Sequence, residues 1–280
     1  MKNVLPFCKN IVKKMVLLAM ILPVFLDMYA QSIPPDRPPE EWKGITADFI
    51  TADKLNHIYL VKGSTVYKFP FVAHQAPHDL SRSLSYTYFS AGNITSIDVS
   101  NPMKIMLFYQ ESGVIVFLDD HLSPVSSPLV LTEQQMPSIS LATYTSDSKI
   151  WLYDFVNNDM IQLDHYLKPT QRVHYRFESF NPIQFKEIYG RQLMLQDTGR
   201  GLYLFDTFGT YNKTLPVISR FPVLAAGHSF YYLKENELYV YNDLTLKEEH
   251  FSLPVPGVIQ CLNIQNSWVF LTEKGSIFVW

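Results

Sequence analysis

The sequence predicts an all-β protein, a β-propeller of six blades of about 40 residues each, with the last blade completed by the N-terminal segment. Three observations carry this. Short apolar runs rich in Tyr, Phe and β-branched residues alternate with Gly, Asn, Asp, Ser and Pro clusters from residue 44 to 280. No window in that stretch holds a helical apolar period beyond two turns. One strand type, apolar-any-apolar-aromatic or Leu followed by a turn residue, returns at a near-constant interval.

In chain order, residues 1–30 have the layout of a secretory signal peptide. Lys2, Lys9, Lys13 and Lys14 precede an apolar run from Met15 to Leu26, and the small Ala30 precedes Gln31. That run is shorter than the roughly 20 residues a spanning helix needs. Cys8 lies before it and so is not placed as a lipoprotein cysteine, which leaves Cys261 alone in the processed chain, with no internal disulfide. Residues 31–43, including "SIPPDRPPEEW", read as a proline-stiffened lead-in and possible closing strand. Cleavage takes four lysines and one aspartate, moving the net charge from −3 to −6. An acidic chain without a basic stripe is not expected to bind nucleic acid. No later apolar run is long enough to span a membrane as a helix.

The propeller follows at 44–280. The recurring strand appears at Val66–Phe69, Ile115–Leu118, Met160–Leu163, Leu202–Phe205, Leu238–Tyr241 and Ile277–Trp280, with successive intervals of 49, 45, 42, 36 and 39 residues. Each copy follows a second apolar strand, and a polar hairpin such as "QESG", "VNND", "DTGRG" or "KEN" separates the two. "FITAD", "SIDVS", "SLATY", "FKEIY", "PVLAA" and "IQCLN" are the expected inner strands. Asp119, Asp164, Asp206 and the Asn242–Asp243 pair close the recurring strand, where Asp and Asn start tight turns by accepting amide hydrogen bonds. The chain stops on such a strand, so residues near Glu41–Gly44 are expected to supply the outer strand of the sixth blade. Pro70–Asn93 holds one strand, "SLSYTYF", and otherwise reads as a loop.

Few residues point to catalysis. His74 and His78 have a zinc-like spacing, but Pro77 lies between them in a loop. Asp119–His121 and Asp164–His165 sit at matching repeat positions, which favours turn formation over a metal site. Asp53, Asp98 and Glu187 are the acids of the inner strands, fewer than the ligands calcium prefers. "TSDSKIW" at Thr145–Trp151 departs from a sialidase-type turn at Lys149 and in the position of its tryptophan. There is no G-x-S-x-G turn, phosphate loop or C-x-x-C pair. No cofactor or metal is implied, and a non-enzyme is expected. The terminal Trp280 would suit an outer-membrane barrel, but the strands are short and apolar on both faces. The hairpin rim carries Lys62, Gln110, Glu111, Asn157, Asn158, Arg200, Lys234, Glu235 and Lys274. Of these, Gln110, Glu111, Asn157, Asn158, Arg200 and Lys234 are the expected binding residues.

"SIDVSNPMKIMLFYQESGVIVFLDDHLSP" resembles a group of exported propeller-like proteins of the Bacteroidota, of NHL/WD40-like architecture. Asn101, Pro102, Met103, Lys104, Phe108, Tyr109, Leu118 and Asp119 carry the resemblance, which is sharp over about thirty residues. It implies a cell-envelope setting, in the periplasm or on the periplasmic face of the outer membrane. There the protein would be an accessory subunit or scaffold in outer-membrane protein assembly or type IX-like secretion. It implies no catalytic residues. The alternatives are a metal-dependent hydrolase or lyase with its site in the channel, and a glycan-binding propeller.

Overall fold

A computed structural model of the chain describes residues 38–73, 75, 77, 80–175 and 180–280. The predicted leader and the His74 and His78 side chains lie outside the described residues. Among the described residues there are six four-stranded antiparallel sheets and no α-helix. In chain order the strands are β1 (Glu40–Thr46), then blade 1 with β2 (Phe49–Ala52), β3 (His57–Lys62), β4 (Thr65–Pro70) and β5 (Leu84–Thr87). Blade 2 has β6 (Ser96–Asp98), β7 (Ile105–Tyr109), β8 (Val114–Leu118) and β9 (Leu129–Val130). Blade 3 has β10 (Ile139–Tyr144), β11 (Ile150–Asp154), β12 (Asp159–Leu163) and β13 (Pro169–His174). Blade 4 has β14 (Pro182–Ile188), β15 (Gln192–Asp197), β16 (Gly201–Asp206) and β17 (Tyr211–Leu215). Blade 5 has β18 (Leu224–Ala226), β19 (Ser229–Lys234), β20 (Glu237–Asn242) and β21 (Lys247–Ser252), and blade 6 has β22 (Val258–Ile264), β23 (Ser267–Thr272) and β24 (Ser276–Val279).

The fourth strand of blade 6 is β1, which pairs antiparallel with β24 through Glu40↔Val279 and Glu41↔Phe278. The N-terminal segment therefore covers the sheet edge that the C-terminal strand would otherwise expose. Among its described residues, Pro70–Asn93 contains β5 and two short 3₁₀ turns, Leu80–Arg82 and Phe89–Ala91, rather than a further blade.

Second and third strands are buried on both faces in blades 2, 3 and 4, whereas β4, β20 and β24 alternate buried with half-buried residues. In β7, β8, β11 and β12 every residue is buried, as stacked sheets require. Their side chains form shared clusters across blade boundaries. Tyr59 and Val61 of blade 1 pack with Leu107 and Val116 of blade 2. Trp151 and Tyr153 of blade 3 pack with Leu195 and Phe205 of blade 4. Tyr231 and Trp268 meet edge to face at 5.2 Å between blades 5 and 6. Outer strands β13, β17 and β21 are mostly exposed and held by main-chain pairing to a buried neighbour.

The turn chemistry repeats as the sequence leads one to expect. Asp164 Oδ1 accepts the amides of Tyr166 and Lys168 at 2.9 and 3.0 Å, and Asp206 Oδ1 those of Phe208 and Thr210 at 2.9 and 2.8 Å. Asp119 does the same for His121 and Ser123, and Asn242 for Leu244 and Thr245. In the "DTGRG" hairpin, Gly201 has φ +110° and its Cα faces the Leu215 carbonyl so closely that a Cβ would lie 2.2 Å from that oxygen. Only glycine fits there.

Closure rests on Trp42 of β1, which is 1% exposed. Its ring lies 5.8 Å from Phe69 and 6.4 Å from Phe71, so a strand that hydrogen-bonds to blade 6 is wedged against blade 1. Trp42→Ala is expected to cost about 3–5 kcal/mol of unfolding free energy. Urea denaturation followed by tyrosine and tryptophan fluorescence measures this, and a loss below 1 kcal/mol would show that the wedge is not needed.

Candidate functional site

Two places present side chains that folding alone does not require. One is the central channel and the other is the end of the ring formed by the first-to-second and third-to-fourth strand turns.

The channel is a cavity of about 270 Å³ bounded by all six blades' inner strands or the residues leading into them. Neighbouring inner strands are joined across it by side chains acting as staples. Gln260 of β22 accepts from Ile50 N at 2.9 Å and donates to Ile50 O at 2.7 Å, fastening blade 6 to blade 1. Asp98 accepts from Thr143 Oγ1 and Tyr144 N at 2.9 and 3.1 Å, fastening blade 2 to blade 3. Glu187 accepts from Ser146 N and Oγ at 2.7 and 3.1 Å, and Gln184 from Val223 N at 3.1 Å. Burial raises the Glu187 carboxyl above its ordinary value, against the opposing pull of the Ser146 hydrogen bonds.

Asp53, Asp98 and Glu187 do not converge. Asp53 is sealed at the end of β2, where its Oδ2 accepts from Tyr59 OH at 2.9 Å and meets His57 Nδ1 at 3.1 Å. Among the described residues, the one group of three or more ligand-type side chains within 4.8 Å of one another is Asp119, Asp120 and His121. That trio is an outer turn: Asp119 bonds two amides, and Asp120 pairs with His121 Nδ1 at 2.8 Å. The His121 hydrogen bond holds the exposed Asp120 carboxyl below its ordinary value.

Lys186 stands apart. It lies on β14, lines the channel, and among the described residues makes no hydrogen bond or ion pair. Desolvation lowers its amine below the usual 10.5, opposed by the charge of Asp98. Sequence reasoning passed over it, although it is the sole basic residue in the six inner-strand segments named above.

The expected rim residues Gln110, Glu111, Asn157, Asn158, Arg200 and Lys234 all stand at second-to-third-strand hairpins of blades 2 to 5, at the opposite end from the Asp-capped turns. Two of them are occupied internally. Asn157 Nδ2 donates to Asp154 Oδ2, and Asn158 Oδ1 accepts from Tyr153 OH, both at 2.8 Å. Lys234 lies 5.5 Å over the Tyr239 ring and borders a cavity of about 560 Å³ with Arg220, Phe221 and Glu273.

At the Asp-capped end the repeat places apolar side chains in solvent. The residue two after the capping Asp or Asn is Tyr166, Phe208 and Leu244 in blades 3, 4 and 5, exposed by 71, 66 and 68%. Leu55 and Met103, from first-to-second strand turns, are exposed at the same end. The opposite end exposes Phe89, Phe155, Val156 and Ile218, at positions the repeat does not relate. In the "NPMK" turn, Asn101 Oδ1 accepts from Met103 N at 3.1 Å, and Lys104 Nζ lies 4.5 Å over Phe117 and 5.0 Å over Tyr144. Of the eight residues that carry the family resemblance, Met103 is the one large apolar side chain left in solvent.

No family model and no curated protein matches the sequence. Solved structures do resemble the fold. Virginiamycin B lyase from Staphylococcus aureus aligns at TM-score 0.56 and 12% identity over 82% of this chain and 78% of its own. The Pan2 WD40 domain of Neurospora crassa aligns at 0.55 and 11% over 84% and 88%, and BBS1N, solved in complex with ARL6DN, at 0.50 and 11% over 80% and 74%. At this identity the likeness establishes a propeller fold, shared by an enzyme and by domains of other kinds.

Lys186→Met is expected to raise unfolding free energy at pH 7 by about 1–3 kcal/mol, because it removes a desolvated amine without a partner. The folded-state pKa lies below the unfolded one, so the unfolded chain binds more protons and wild-type stability gains from this group as pH rises toward 10.5. The advantage of the variant therefore shrinks from pH 7 to pH 9.5. Denaturation curves at both values measure it; a destabilised variant would make Lys186 a structural residue.

Proposed function

We propose that this chain is a non-enzymatic interaction module of the bacterial cell envelope. It is exported by its basic and apolar leader and works in the periplasm or on the periplasmic face of the outer membrane. There it serves as an accessory subunit of an outer-membrane protein assembly or type IX-like secretion complex. The observation that carries the reading is the register of Tyr166, Phe208 and Leu244. A turn that the fold needs for its capping Asp or Asn also holds an exposed apolar side chain at the same step in three consecutive blades. Each is fixed by an amide hydrogen bond, so an apolar contact there orders little backbone on binding. Large apolar groups held in solvent at the same step of successive blades offer a partner regularly spaced contact points, and aromatic anchors contribute most to such contacts.

Two further points support a binding role. The inner-strand acids Asp98 and Glu187 are used as staples between blades, and Asp53 is held by Tyr59 and His57. The "NPMK" residues of the envelope-family resemblance serve the turn and its packing, with Met103 left for contact.

The test is capture of partners from detergent-solubilised envelopes by the tagged chain, beside Tyr166→Ser/Phe208→Ser/Leu244→Ser. The wild type is expected to retain a reproducible protein partner that the triple variant loses by at least tenfold. Stability should shift by no more than about 0.5 kcal/mol for each exposed site. Arg200→Ala/Lys234→Ala probes the opposite end and is expected to keep the partner. A partner lost by that double variant and kept by the triple would move the contact to the polar rim, and no partner at all would sink the proposal.

A further inference from the structure

We infer that the central channel is a binding site for a small organic carboxylate, seated on Lys186. The cavity of about 270 Å³ is large enough for about nine waters or a ligand of about ten non-hydrogen atoms. Its walls are largely apolar, from Phe49, Ile97, Leu141 and Phe185 among others, as in small-molecule sites.

Two donor-only groups that line the lumen have no partner among the described residues, the Lys186 ammonium and the Gln184 amide nitrogen. Lys186 Nζ has no acceptor among the described residues. Gln184 spends its Oε1 on Val223 N, leaving the amide Nε2, and the hydroxyls of Thr51 and Ser96 make no hydrogen bond among the described residues. The acceptor oxygens of Asp98 and Gln260, by contrast, are already bonded. Asp98 Oδ2 accepts from Thr143 Oγ1 and Tyr144 N, and its Oδ1 from the amide and hydroxyl of Ser100. Gln260 is consumed at both ends by Ile50. Among the described residues Lys186 is the one cation of the lumen and has no hydrogen bond, while the Asp98 carboxylate is already shared among four donors; a carboxylate seated on the ammonium supplies the acceptor the lysine lacks, and the apolar wall favours one with a hydrocarbon body over an inorganic anion.

The same lysine makes binding depend on protons. The charged group facing it is Asp98 from β6; Glu187, next to it on β14, is turned to Ser146, and β2, β10, β18 and β22 bring no titratable group to the lumen. A carboxylate entering the channel stabilises the ammonium and raises the lysine pKa, so the complex takes up protons on forming. Affinity then falls as pH rises.

Isothermal titration of the folded protein with acetate, succinate and benzoate tests this, with inorganic phosphate as a fourth probe. At pH 6.5 at least one carboxylate is expected to bind with a millimolar or tighter Kd. Binding should weaken at pH 9, and its heat there should differ between two buffers of unlike ionisation enthalpy, as proton uptake by a lysine whose pKa is lowered from 10.5 requires. Lys186→Met, shown folded by a melting temperature at or above wild type, is expected to bind at least tenfold more weakly. Failure of all three carboxylates, phosphate binding in their place, or undiminished binding by the variant would each overturn the assignment.

Discussion

The architecture depends on burial of one blade's face by the next, and that burial holds only if the ring is closed. A four-stranded sheet with both faces apolar, such as β6 to β9, has no stable existence alone. Each blade is covered because its neighbours are, and the relation returns to its start where blade 6 meets blade 1. At that joint the chain uses β1 twice over. Its backbone pairs with β24, and its Trp42 fills the space beside Phe69 and Phe71 of blade 1. The Gln260–Ile50 amide pair fastens the same joint at the inner radius. Interlocking at both radii ties the two ends of the propeller chain to one seam.

Closure also explains how the polar groups are disposed. Staples at the inner radius run between neighbouring blades through Asp98, Glu187, Gln184 and Gln260, so most polar groups along the channel act in assembly. Asp53 is locked by Tyr59 and His57, and Lys68, 4% exposed, reaches the Asp120 carbonyl of the next blade at 2.6 Å. Lys186 is the charged exception, a channel cation that makes no hydrogen bond or ion pair among the described residues. At the outer turns the repeat has the reverse consequence. A fixed cap leaves one side chain per turn unused by the fold, and in blades 3 to 5 that side chain is large and apolar.

Most of this fold was legible in the sequence because its determinants are local. The inner strands, the buried middle strands and the Asp or Asn caps each announce themselves within five or six residues, and the spacing of the recurring strand supplied the number of blades. The unmatched final strand "GSIFVW" predicted the closure by residues near Glu41–Gly44. The outer strands were less legible. "KEEHFS" of β21 is exposed almost throughout and carries no alternation, since it is a strand only by pairing to β20. The site was less legible still. Glu187 drew notice as a potential ligand, yet the structure spends it on Ser146, while the adjacent Lys186 is the group left over. Which of two neighbouring charges is satisfied depends on the facing blade, and no local pattern records that. In blades 3 to 5 the apolar member of the capped turn stands two residues after an Asp or Asn, but its exposure follows from where the turn sits in the ring.

The most direct measurement of the closed ring is hydrogen exchange on the full propeller and on a chain beginning at Asp48, which lacks β1. The account predicts that amides of β23 and β24 exchange only through global unfolding in the full chain. In the shortened chain, protection should collapse in blade 6 and in the β3 and β4 strands of blade 1, while blades 3 and 4 keep more of theirs. Unchanged protection of β24 and of blade 1 after removal of β1 would contradict it, and mutual shielding around a closed ring would then not be what holds the sheets together.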